Sequence, residues 1–170
     1  RLEEFPDLLH PNKDGYAKWS AALKPILATL GFIETAPDTF TPEAGFVSLF
    51  NGKDLTGWGF REQRTLEKKD AFDGKTISSD SRYVAKNGRL IVTTPPEGRK
   101  IAQLYTTREF PKNFTLKLDF RATPNADSGV FIRKPQLQCR DYPLAGPYKQ
   151  LTKYKPQDWN EMVVVVKDGV

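Results

Sequence analysis

Apolar residues recur at spacings of three and four from Asp14 to Leu30. Tyr16, Trp19, Leu23, Ile26, Leu27 and Leu30 thereby fall on one side of a helix. Asp14 reads as its N-cap and Gly31 as its stop. Pro25 interrupts the pattern, because it lacks the N–H that the ladder needs, so a kink or two short helices are expected. Thr35–Gly45, with Pro37 and Pro42, reads as a linker. Residues 1–44 are thus expected to form a helical segment with a linker, and residues 45–170 a domain of another kind.

After Gly45 the period changes to two. Phe46–Phe50, Arg89–Thr93, Ile101–Thr106, Phe114–Arg121, Gly129–Lys134, Gln136–Asp141 and Met162–Lys167 are short and rich in β-branched and aromatic residues. Turn formers bound them. Asn87-Gly88 between Tyr83–Ala85 and Arg89–Thr93 signals a hairpin, since a type I′ turn needs positive φ at both central residues. Arg61–Asp80 carries Glu62, Arg64, Glu67, Lys68, Lys69, Asp70 and Asp73, and reads as a surface loop. The pattern predicts an all-β, antiparallel sandwich or barrel with a short N-terminal helical segment.

Composition narrows this little. Apolar residues make up 38% of the 170 and charged ones 28%, as in an ordinary globular chain, and no apolar run is long enough to span a membrane. The net charge of +5 is spread along the chain among acids rather than gathered into a block, which argues against nucleic acid as partner. One cysteine, Cys139, cannot form an internal disulfide and reads as a small buried hydrophobe. The single histidine, His10, lies outside the β-rich region. That region therefore holds no Ser-His-Asp or Cys-His set and no histidine metal cluster.

Five strings, in order, carry a resemblance. They are Phe46-Val-Ser-Leu-Phe-Asn-Gly-Lys-Asp-Leu-Thr-Gly-Trp58, Asn87-Gly-Arg-Leu-Ile-Val92, Phe114-Thr-Leu-Lys-Leu-Asp-Phe-Arg121, Asn125-Ala-Asp-Ser-Gly-Val-Phe-Ile-Arg133 and Asp158-Trp-Asn160. Read physically, the first is a corner with tight points at Asn51-Gly52 and Gly57 and an aromatic anchor at Trp58. Together the strings resemble the 3-keto-disaccharide hydrolase domain family. The resemblance implies a concanavalin A-like jelly-roll sandwich, a glycoside oxidised at C3 as partner, and a periplasmic or extracellular setting.

The chain departs from the family in two ways. It stops at Lys167-Asp-Gly-Val170, short of a further Asn-Gly hairpin and closing strands, so the expectation is a fragment whose sandwich is completed by a partner chain or by further residues. Many relatives carry Glu where this chain has Gln136, which weakens any mechanism that needs a carboxylate there.

Alternation along Gln136–Asp141 puts Gln136, Gln138 and Arg140 on one face, and Leu137, Cys139 and Asp141 on the other. Along Phe114–Arg121 it turns Phe114, Leu116, Leu118 and Phe120 inward. Arg133 closes Gly129–Arg133 on the face of Phe131. Amides, guanidinium groups and aromatic rings suit a hydroxyl-rich ligand. A solvated outer face explains Arg133, Gln136 and Gln138 equally well, and explains Lys117 and Asp119 better. The candidate site is a concave surface of Arg133, Gln136, Gln138 and Arg140, with Tyr142 or Tyr148 at its rim.

A ketone at C3 acidifies the C2 hydrogen, so the glycosidic bond can break by elimination followed by addition of water. One base, one charge stabiliser and one acid then suffice. Arg133 is the candidate stabiliser. Asp141, Asp127 and Tyr142 are the candidate acids and bases. No cofactor is identified, although a divalent metal held by oxygen ligands could replace the cation. The alternatives are a carbohydrate-binding module without catalysis and an interaction domain whose N-terminal helix docks a partner.

Overall fold

The computed structural model describes residues 4, 10–29, 39–62, 67–93, 102–133, 136–141 and 151–168. The chain divides into two compact units, Arg1–Glu109 and Phe110–Val170. Helix is confined mainly to one element before Thr35, and every strand pairing among the described residues is antiparallel.

The first unit opens with α1 (Lys13–Thr29), which runs through Pro25 as one continuous helix rather than two. Its cap is Asn12 and not Asp14. The Asn12 side chain accepts the Gly15 N–H at 2.9 Å, and Asp14 lies in the first turn, where its charge favours the helix dipole. The expected stop, Gly31, lies outside the described residues.

Strands β1 (Trp58–Arg61), β2 (Lys68–Ala71) and, later in the chain, β5 (Leu104–Thr106) make a three-stranded sheet with β1 central. Between them in sequence, β3 (Tyr83–Lys86) and β4 (Arg89–Val92) form the expected hairpin. Asn87 at φ 53° and Gly88 at φ 76° supply its turn. Sheet and hairpin share a core of Leu55, Phe60, Phe72 and Ala85, with Tyr83, Leu90 and Leu104 packed against it. Phe60 meets Phe72 edge-on, ring centroids 4.8 Å apart. Trp58 anchors the preceding corner, its indole donating to the Leu49 carbonyl at 2.8 Å.

Two further expectations fail in this unit. Phe46–Phe50 forms no strand, because its polar groups find turn and side-chain partners instead of a ladder. Phe46 N–H donates to Glu43, Ser48 Oγ donates to the Phe50 carbonyl, and the Leu49 carbonyl is taken by Trp58. The polar stretch Arg61–Asp80 is not all loop: it contains β2, whose Lys68, Lys69 and Asp70 suit an edge strand that must refuse further pairing, and it contributes Phe72 to the core.

In the second unit β6 (Phe114–Phe120) pairs β9 (Asn160–Val166) through seven residue pairs, from Phe114 opposite Val166 to Phe120 opposite Asn160. Phe114, Leu116, Leu118 and Phe120 share the better-covered face with Met162, Val164 and Val166, as the alternation requires. Among the described residues β9 has this one neighbour. Asn160, buried, fastens the loop before β9 by accepting the Lys155 N–H and donating to the Lys155 and Asp158 carbonyls. A second hairpin, β7 (Asp127–Phe131) with β8 (Gln136–Arg140), carries the candidate site.

Candidate functional site

The register of β7 on β8 decides which side chains meet. Asp127 stands opposite Arg140, Gly129 opposite Gln138 and Phe131 opposite Gln136, and paired residues project to the same face. Gln136, Gln138 and Arg140 therefore share a face, joined there by Asp127 and the half-exposed ring of Phe131.

Asp127 and Arg140 form a two-point pair. Arg140 Nη2 donates to Asp127 Oδ2 at 3.0 Å, and Arg140 Nε lies 3.0 Å from Oδ1 as an ion pair without the alignment of a hydrogen bond. The guanidinium is mostly covered while the carboxylate stays open to solvent.

Gly129 keeps the middle of this face low, and the Gln136 side chain lies over it. A β-carbon at position 129 would stand 2.6 Å from Gln136 Nε2 and 2.7 Å from the Leu137 carbonyl oxygen, and the second of these cannot move aside. Gly129→Ala is accordingly expected to cost about 1–3 kcal/mol, the usual range for forcing an extra carbon into filled space. Thermal unfolding of the variant measures it.

Arg133 sits apart from the face. β7 ends at Phe131, earlier than the expected Lys134, and Arg133 takes φ 60° in the connection to β8, which breaks the alternation that would align it with Phe131. Its Nη2 lies 3.4 Å from the Pro111 carbonyl oxygen and 3.3 Å from that of Lys112. Arg133 itself is thus left-handed, and its guanidinium reaches the segment before β6.

Asp141 lies on the other side of the hairpin. Its N–H donates to the Ala126 carbonyl at 3.0 Å, extending the ladder by one step beyond Arg140, so alternation turns the carboxylate away from Arg140. At 2% exposure it accepts the Asn125 N–H on Oδ2 at 3.1 Å, which stabilises the turn where Asn125 has φ 62°. Oδ1 has no hydrogen-bond partner among the described residues. Tyr142 and Tyr148, the expected rim, lie outside the described residues.

Cys139 shares the side of Asp141, and burial pushes its thiol from 9.0 up to about 11. The thiolate that nucleophilic chemistry needs is therefore scarce near neutrality. In the folded protein Cys139 should react with a chromogenic disulfide reagent far more slowly than a free thiol, and at the free-thiol rate once the chain is denatured.

A feature invisible in the sequence is an open cavity of about 320 Å³ on the β2–β1–β5 sheet. Arg61, Lys68, Asp70, Tyr105 and Glu109 are among the residues that line it, and among the described residues no sequence-predicted site residue does. Its Arg61 is engaged by Glu109 at 3.3 Å and lies over the Tyr105 ring. No group of three or more His, Cys, Asp or Glu side chains is placed to hold a metal ion among the described residues.

The β-rich chain from Gly45 onward matches the family model described as 3-keto-alpha-glucoside-1,2-lyase-like domain over residues 45–170. The chain belongs to this family. No curated protein and no solved structure matches it. Membership in the 3-keto-alpha-glucoside-1,2-lyase-like family makes the domain carbohydrate-related, and it covers all the candidate residues from Asp127 to Tyr148. The expected resemblance is thereby established, and the α1 segment lies outside the matched range.

Proposed function

We propose that this domain cleaves 3-keto-glycosides by elimination, and that the β7–β8 face holds the sugar. The observation that carries the reading is the coincidence of the family match with a solvent-open carboxylate paired to a guanidinium on that face, flanked by two amides and an aromatic ring. Asp127 is the base that takes the C2 proton. The electron pair of that bond passes into an enolate whose charge resides on the C3 oxygen, where Arg140 stabilises it. The enolate then collapses and the C1–O bond breaks. The aglycone leaves with the electron pair and takes up a proton, and water adding across the resulting double bond completes a net hydrolysis. Gln136 and Gln138 donate to and accept from ring hydroxyls, and Phe131 covers an apolar patch of the sugar.

Arg140 takes the role for which the sequence put Arg133 forward, because it lies on the face and Arg133 is held by two main-chain carbonyls. Asp141 is less suited than Asp127 to act as base, being buried on the opposite side beneath a turn.

Incubating the chain with nitrophenyl 3-keto-glucoside in D₂O tests this. Nitrophenol release together with deuterium at C2 of recovered substrate is the expected result, and release without exchange under any condition counts against elimination. A second reading, sugar binding without catalysis, draws support from the engagement of both Asp127 oxygens by Arg140. It predicts saturable retention on a keto-glucoside matrix with no nitrophenol formed.

A further inference from the structure

Outside the family match, α1 presents an apolar stripe that has no partner among the described residues. Tyr16 (56% exposed), Trp19 (56%), Leu23 (46%) and Ile26 (54%) follow one another at three, four and three residues along one face. Every residue from Lys13 to Ile26 other than Gly15 is exposed. A helix of 17 residues containing both Gly15 and Pro25 is marginal in water by itself, so the stripe has to be covered for the helix to persist.

Charge selects among the surfaces that could cover it. The helix carries Lys13, Lys18 and Lys24 against a single acid, Asp14. With 3.6 residues per turn, Lys13 and Lys24 fall together on one flank of the stripe, and Lys18, which pairs with Glu4, falls beyond the other. Long lysine stems beside an apolar stripe can lie along it while their ammonium groups reach outward. Tyr16 and Trp19 have an apolar body and one polar edge, which suits the boundary between headgroups and acyl chains. The helix is not long and apolar enough to cross a bilayer.

We infer that α1 lies flat on an anionic lipid surface, with Tyr16, Trp19, Leu23 and Ile26 entering the headgroup–acyl boundary and Lys13 and Lys24 contacting lipid phosphate. This inference is independent of the proposed glycoside chemistry, and the tethered domain's own site plays no part in it.

The experiment is sedimentation of the full chain with vesicles of phosphatidylcholine alone or mixed with phosphatidylglycerol, paired with tryptophan quenching by brominated lipid. The chain should bind the mixed vesicles, release as salt rises, and bind neutral vesicles poorly. Lys13→Gln and Lys24→Gln should each weaken binding about fivefold, the worth of one basic residue near an anionic surface. Trp19→Ser should abolish binding. If that variant fails to fold, Trp19→Phe decides the matter, because it keeps the stripe apolar and should retain binding while losing the brominated-lipid quenching. Equal binding to both vesicle types, no binding to either, or quenching unchanged in Trp19→Phe overturns the inference. So does a concentration-dependent rise in mass without lipid that Trp19→Ser removes, since a second copy of the chain would then be the cover.

Discussion

Turnover of a 3-keto-glucoside is expected to fall about 10²–10³-fold when Arg140 is replaced by alanine, the usual loss when one charge-stabilising donor is removed. The loss should appear in kcat more than in KM, because enolate charge exists in the transition state and not in the bound ketone. Asp127→Asn should lose turnover on a comparable scale, since it keeps the side-chain shape and removes the proposed base. Stability should change little in Asp127→Asn, because its carboxylate is open to solvent and exposed pairs contribute only about 0–1 kcal/mol, whereas Arg140→Ala also removes the packing of a mostly covered side chain. Arg133→Ala is the control. It should lower the unfolding temperature through the loss of its carbonyl partners at Pro111 and Lys112, and leave turnover within a few-fold of the parent. A parent-like rate in Arg140→Ala, measured by nitrophenol release, removes Arg140 from the mechanism. A large kcat loss in Arg133→Ala alone returns the stabilising role to the residue that the sequence put forward.

The largest effect on stability is expected at Phe72. It is 1% exposed, touches Phe60 edge-on and lies under the Lys75 ammonium, whose Nζ is 5.8 Å from the ring centroid. Phe72→Ala leaves a cavity among Leu55, Phe60 and Ala85, and a buried Phe→Ala change costs about 3–5 kcal/mol. For a chain of this length that corresponds to a fall of roughly 6–20 °C in Tm. Thermal unfolding followed by near-ultraviolet circular dichroism reads it directly through the aromatic cluster. A shift below a few degrees would mean that the first unit's core does not depend on this ring. Phe72→Leu, which restores most of the apolar volume, should recover a good part of the loss.

These two residues also mark how far the sequence carries. Period-two alternation placed Phe114, Leu116, Leu118 and Phe120 on one face of β6, and the ladder with β9 keeps them there, because side-chain alternation is a property of the single strand. Asn87-Gly88 specified its turn for the same local reason. Gln136, Gln138 and Arg140 were likewise legible as one face of β8. Phe72 was not legible as core, since it stands alone in a charged stretch, and only the pairing of β2 on β1 brings it to Phe60.

Local pattern by itself thus determined the antiparallel β-rich class, the N-terminal helix and its apolar stripe, and the grouping of polar residues along each strand, while the family was carried by the resemblance of five ordered strings. Tertiary structure alone decided which strands pair, and therefore that Asp127 meets Arg140. It also decided that Phe46–Phe50 has no ladder and β2 does, and that Arg133 leaves the face. The reason lies in the range of the forces. Backbone periodicity and turn chemistry act within a few residues, so a sequence window contains them. Register, cross-strand ion pairs and the φ of a connecting residue depend on a partner strand whose identity no single window records.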